Sequence, residues 1–258
     1  MKNTTKKSLQ LSLRVNVMML LIIFTVTFFS GCDFENAVSL NYVGEYPTGY
    51  LHVELDYRTG ISRYEMGALY AKKLIELYPD FEARNAFIFS LISPEQYSTL
   101  LERTLLIKDQ IPLIYQEEID GIASQFSGGN IDSQYDGVLS VNELYYLNLT
   151  MDVGMFASPQ CSALAVYGKR SETGNTLMGR IVDFPFGYEQ AVFVIKNGYH
   201  SSVSIGGPLS MTHITNISRK GIFGAILSSS TVTTFPDDAA NIPYHSYSFD
   251  LRYAIEHL

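Results

Sequence analysis

The chain has 258 residues, is 47% hydrophobic and carries 18 basic against 26 acidic side chains, a formal net charge of -8. An apolar fraction of that size supplies a core and excludes a disordered chain. The acid excess excludes nucleic acid as a partner and a charge-driven grip on anionic lipid.

Lys2, Lys6, Lys7 and Arg14 precede the apolar run 15–29, which closes on Ser30-Gly31-Cys32. A basic segment, an apolar segment and small residues make an export signal. The Ser-Gly-Cys end resembles the lipobox of bacterial lipoproteins, with Phe29 where that pattern usually has Leu. It implies an exported, membrane-anchored lipoprotein of the cell envelope, with lipidation at Cys32 as the tether. A transmembrane anchor is the other reading, since roughly 20 apolar residues span a bilayer; Asn16, Thr25 and Thr27 interrupt the run. A secreted or lysosome-like setting is the alternative localisation. Four of the basic residues lie in residues 1–32 and no acidic ones do, leaving 14 against 26 in the remainder. Cys161 is the second of two cysteines. An unpaired cysteine in an oxidising compartment invites a chemical explanation, the alternative being a small buried hydrophobe.

Residues 33–59, with Gly44, Pro47 and Gly49, read as a linker running into short extended pieces. Ser62-Arg63-Tyr64-Glu65 is a capping box, and Met66, Leu69, Tyr70, Leu74 and Leu77 follow at helical spacing. Ser93-Pro94-Glu95-Gln96 opens a second helix through Leu100, Leu101, Leu105 and Leu106, and a third after Pro112 carries Ile114, Ile119 and Ile122. Residues 33–160 are thus expected to form a mostly helical N-terminal segment.

Residues 132–143 carry calcium-ligand types at positions 1, 3, 5, 9 and 12 of an EF-hand loop, among them Asp132, Gln134, Asp136 and Glu143, with Gly137 at position 6. Gln134 is a poor third ligand, and no second loop pairs with this one. The same letters also read as a turn at Asp136-Gly137 and a capping box, Ser140 to Glu143, for a helix over 143–155.

Beyond Cys161 the period changes from helix to strand. Residues 162–167 and 176–183 read as strands about a turn at 170–175, and 191–196 with 201–205 as a hairpin through Asn197-Gly198. Another extended apolar stretch covers 221–233, and a helix over 246–258 runs to the last residue. Neither a phosphate-cradling glycine loop nor a zinc-spaced Cys/His set occurs, so no cofactor is expected. His213 and His245 are candidate bases for Cys161 or simply ordinary histidines.

From Glu118 onward the residues carry a resemblance. The pieces are Glu118-Ile119-Asp120-Gly121-Ile122-Ala123, Asp136-Gly137-Val138-Leu139-Ser140, Leu147-Asn148-Leu149, Cys161-Ser162, and Gly179-Arg180-Ile181-Val182-Asp183-Phe184 with Pro185-Phe186-Gly187 behind it. Residues 216–222 and 247–256 extend it. This ordered set resembles the N-terminal-nucleophile (Ntn) amide hydrolases of the penicillin acyltransferase-like, linear amide C–N hydrolase group. That group is related to the bile-salt hydrolases, acid ceramidase and N-acylethanolamine acid amidase.

The resemblance implies an α+β chain with a four-layer αββα sandwich from residue 161 onward, preceded by a helical prosegment. It implies autocleavage between Gln160 and Cys161, which frees an α-amino group, of ordinary pKa near 8, to act as base for the cysteine's own thiol. Cys161 would be the nucleophile, Arg180 would favour the thiolate and help place substrate, and Asp183 would orient the α-amino group. The implied substrate is a small-molecule linear N-acyl amide, and Asn216 marks a further substrate or structural position. The family's oxyanion-hole asparagine is expected beyond Leu258, and its other site asparagine is replaced near residues 228–230, so 161–258 is expected to hold the N-terminal part of the domain. The competing expectation is an inactive or truncated lipid-anchored binding lipoprotein, calcium-binding in one version.

Overall fold

The computed structural model describes residues 34–45, 48–153, 160–183, 189–227 and 245–258, with Gln160 and Asp183 described in their backbone alone. Residues 37–258 belong to one compact unit. Among the described residues the fold is α+β: a six-stranded mixed sheet, six helices and a separate two-stranded ribbon.

Alternation builds the sheet. Strand β1 (Val38–Val43) pairs antiparallel with β2 (Tyr50–Asp56), and β2 pairs parallel with β5 (Ala191–Lys196), with Val53 facing Phe193. The sheet continues antiparallel through β6 (Ser202–Gly206), β7 (Thr215–Ser218) and β8 (Phe223–Ala225). Leu51, Val53, Leu55, Ala191, Phe193 and Ile195 fall on one face because strand side chains repeat every second residue, and all six are buried. On the other face Val203, Ile205 and Ile217 remain partly exposed. Helices therefore cover one side of the sheet.

Two of those helices cross unusually closely. Helix α1 (Arg63–Leu77) starts at the expected box, Ser62 Oγ accepting from the Glu65 N–H and the Glu65 carboxylate accepting from the Ser62 N–H, each at 3.1 Å. It packs against α4 (Leu113–Ala123) through Gly67 and Gly121. A Cβ on Gly67 would lie 2.1 Å from the Glu118 carbonyl oxygen, and one on Gly121 2.0 Å from that of Tyr64. Between them run the short helix α2 (Phe81–Ala86) and α3 (Pro94–Lys108), the latter capped by Ser93 and Gln96. Leu100 and Leu101 are buried as the spacing predicts, whereas Leu105 and Leu106 face outward.

Helix α5 (Val141–Val153) packs on α3, and α6 (Tyr247–His257) lies on β7 and β8. Gly224 makes the room for α6: a Cβ there would lie 2.6 Å from Leu251 Cδ1.

Residues 38–56 depart from the expected linker. Its extended pieces are two full sheet strands, because β2 finds its parallel partner in β5, far along the chain. The described residues on both sides of Cys161 fall in the one compact unit over 37–258. The hairpin over 191–205 forms with strands within a residue of the expected ones, joined by a 3-10 turn at Gly198–His200. Of the stretch 221–233, Phe223–Ala225 is strand, and residues 228–233 lie outside the described residues.

The sheet-facing helices share a sealed charge network. Arg252 of α6, 0% exposed, donates through Nη2 to Glu118 Oε2 (2.8 Å), through Nε to Glu256 Oε1 (2.7 Å) and through Nη1 to the Met211 carbonyl (2.6 Å). Arg63 of α1 reaches Glu118 and Glu256 at 3.2 and 3.1 Å, and the Tyr115 hydroxyl donates to Glu256. Two cations and two carboxylates balance. Burial opposes the Glu256 charge, but Arg252 and Arg63 prevail and hold its pKa below the ordinary carboxylate value.

Candidate functional site

Cys161 and Arg180 lie on the two-stranded ribbon, β3 (Gln160–Val166) antiparallel to β4 (Leu177–Asp183). The turn between them contains Gly174, whose φ of +72° favours glycine. In this register Cys161 faces Val182, and Arg180 faces Ala163, two residues along the same side of β3. That offset is a diagonal neighbour pair, within reach of a long side chain. Arg180 Nη2 donates to Cys161 Sγ at 3.4 Å, and the same nitrogen donates to the carbonyl of Ile226, just past β8.

Both partners are half-buried. Burial lowers the Arg180 pKa, while the thiol works in the opposite direction. An arginine remains a cation under any such shift, so the sulfur has a fixed positive neighbour. Arg180 Nε and Nη1 are buried and donate to no partner among the described residues. The cation thus retains unspent donors beside the thiol.

Asp183 stands opposite Gln160 in the ladder, so its backbone adjoins the peptide between Gln160 and Cys161. The Asp183 and Gln160 side chains lie outside the described residues, as do residues 1–32 with the export signal and Cys32, Phe184, Pro185-Phe186-Gly187 and residues 228–230.

Asn216 is not on the ribbon. It is buried in β7 and donates through Nδ2 to the carbonyl of His213, a residue held at φ +55°. Its observed part is to pin an unfavourable backbone conformation. His213 packs at a 30° tilt on the Phe193 ring, centroids 4.8 Å apart, fully buried, with both ring nitrogens lacking partners among the described residues. Burial first, then Arg252 and Arg63, pushes its pKa well below the ordinary histidine value, so it is a neutral core residue. His245 is exposed ahead of α6.

The loop read as an EF-hand has spent its ligands on hydrogen bonds. Asp132 accepts from Ser140 Oγ and Asn142 Nδ2, and Asp136 accepts from the Val138 N–H. Gln134 turns its amide nitrogen to the carbonyls of Phe89 and Ile92. Glu143 is buried, accepting from Tyr97 and the Ser140 N–H, and burial raises its pKa against those bonds. Of the two readings of these letters, the capping box forms here, with Ser140 Oγ accepting from the Glu143 N–H at 3.1 Å and Glu143 from the Ser140 N–H at 2.8 Å. No cluster of three His, Cys, Asp or Glu side chains suited to a metal occurs among the described residues. No helix among them is long and apolar enough to cross a membrane.

Sequence reasoning missed the Ile226 carbonyl and the network around Arg252. A backbone acceptor leaves no mark in the sequence. Arg252 and Glu256, four apart on a helix, did carry a readable sign of an ion pair. No protein-family model, no curated protein and no solved structure matches the chain.

Proposed function

We propose that the chain is an Ntn amide hydrolase or acyltransferase that acts on linear N-acyl amides through Cys161. The observation that carries this reading is the Arg180 guanidinium on the Cys161 sulfur, with Asp183 in register beside the Gln160–Cys161 peptide. An isolated thiol would need an external base. Here a cation favours the thiolate, and cleavage supplies the base.

In the first reaction the Cys161 sulfur attacks the Gln160 carbonyl carbon, the C–N bond breaks, and the nitrogen takes up the proton released by the thiol and leaves as the α-amine of Cys161. Water then hydrolyses the thioester, giving the Gln160 carboxylate and a free thiol. In turnover that amine takes the thiol proton, the thiolate adds to the substrate amide carbonyl, and the protonated amine returns the proton to the departing nitrogen. Water, or an acceptor amine in the acyltransferase case, releases the acyl group. Arg180 stabilises the thiolate once the amine has taken its proton, and Asp183 is assigned to orient the amine.

The finer architecture belongs to the same proposal. A sheet covered by helices on one face, with Val203, Ile205 and Ile217 part-exposed on the other, is suited to a second sheet that the β3–β4 ribbon begins. Acylation at Cys32 would tether the protein to a membrane, so incorporation of labelled fatty acid should disappear in Cys32→Ser.

Intact-mass measurement tests the central claim. The wild-type chain should resolve into two fragments separated between Gln160 and Cys161, and Cys161→Ala should remain one chain. A wild-type chain that stays whole under all conditions of folding and pH would overturn the proposal.

A further inference from the structure

The ribbon that carries Cys161 is exposed over most of its length, so something outside it must hold Arg180 in place. Its guanidinium divides one nitrogen between the thiol and the Ile226 carbonyl. Ile226 is buried, and its N–H donates to the Ile214 carbonyl at 3.0 Å. It directly follows β8, where Gly224 pairs with Asn216 of β7. The α6 side chains Leu251 and Ile255 press on Gly224, at 2.6 and 3.4 Å from where a Cβ would stand. A continuous set of contacts therefore runs from α6 through Gly224 and Ile226 to Arg180.

We infer that Ile226 is a positioning residue for the thiol site: its backbone carbonyl seats Arg180 beside Cys161, and the packing of α6 on Gly224 sets where that carbonyl lies. The inference rests on the reading of Cys161 as a nucleophile, yet its test needs neither cleavage nor substrate. A bulkier residue at 224 pushes β8 away from α6 and carries the Ile226 carbonyl with it. Arg180 then leaves the sulfur without any change to Arg180 or Cys161.

The test is alkylation at Cys161, mapped by peptide mass, with anionic iodoacetate and neutral iodoacetamide. A cation at the sulfur draws the anionic reagent, so the ratio of the two rates reports the guanidinium, whereas general loosening of the fold speeds both reagents alike. Arg180→Ala sets the floor, expected about fivefold below wild type at low salt. Gly224→Val should fall close to that floor, and adding Leu251→Ala, which removes the colliding methyls, should restore the ratio to within about twofold of wild type.

Gly224→Ala adds one methyl that Leu251 can partly evade, and should lower the ratio by about twofold. It keeps the test standing if the valine variant does not fold. A wild-type ratio in either folded variant, or a wild-type ratio no higher than that of Arg180→Ala, overturns the inference. An uncut wild-type chain with a high ratio would remove the hydrolase reading and leave the positioning role intact.

Discussion

In the body of the molecule Phe193 and Arg252 are both fully sealed, whereas on the β3–β4 ribbon Leu164 and Ile181 stay 70% and 67% exposed. The body holds four buried charges in one mutually paired network. The ribbon buries little and is joined to the six-stranded sheet by a hydrogen bond from Arg180. A two-stranded hairpin has marginal stability on its own. Stability and the candidate chemistry thus reside in different parts, so substitutions should separate them.

Breaking the network should have the largest effect on stability. Arg252→Leu leaves Glu118 and Glu256 buried with Arg63 alone and orphans the Met211 carbonyl, and urea unfolding should show a loss of about 4 kcal/mol. A loss near zero would mean that the carboxylates take up protons or water with ease, and that pairing does not hold the body together.

Next in size is the helix crossing. Gly121→Ala sets a methyl against the Tyr64 carbonyl, a backbone atom that cannot turn aside. The helices must separate, at about 3 kcal/mol by the same measurement. Gly137→Ala, at a φ of +76° with nothing near its Cβ position, isolates backbone strain and should cost about 1 kcal/mol.

The pH response sharpens the same contrast. Burial pushes the Asp152 carboxyl up to about 6 from an ordinary 3.8, against a bond from Ser246 Oγ at 2.9 Å. The folded state therefore keeps a proton that the unfolded chain releases. This stabilisation is full below about pH 3.8 and is lost as the pH rises through about 6, on the order of 3 kcal/mol in all. His213 acts oppositely: its depressed folded pKa gives stability present above about 6.5 and lost as the pH falls. Asp152→Asn should flatten the first slope, raising neutral-pH stability relative to pH 4; an unchanged difference between the two pH values in wild type and variant would contradict the burial argument.

Arg180→Ala should disturb stability least, by less than about 1 kcal/mol, because the pair it forms is half-buried and partly solvent-screened. Self-cleavage, followed by intact mass, should slow by at least about tenfold in the same variant. A large stability loss there would show that the ribbon belongs energetically to the body.

Local chemistry was legible in the sequence. The three capping boxes stand at Ser62, Ser93 and Ser140, because a cap depends on residues three apart. Alternation marked β5 and β6, and the ribbon placed Cys161 and Arg180 on neighbouring positions because its turn is short and its register follows from it. The calcium-like letters at 132–143 were ambiguous, since the same oxygens cap helices and bind cations.

What the sequence by itself determined is therefore a set of elements, a strand-borne cysteine and an arginine within reach of it. Only the tertiary structure decided that β2 joins β5, that Arg252 and Arg63 share two carboxylates, and that a main-chain carbonyl at Ile226 holds the arginine on the sulfur. The reason is physical. Caps and strand periods are set by neighbours along the chain, whereas parallel pairing, buried ion balance and backbone acceptors depend on which distant segments meet, and no residue's letter states its partner.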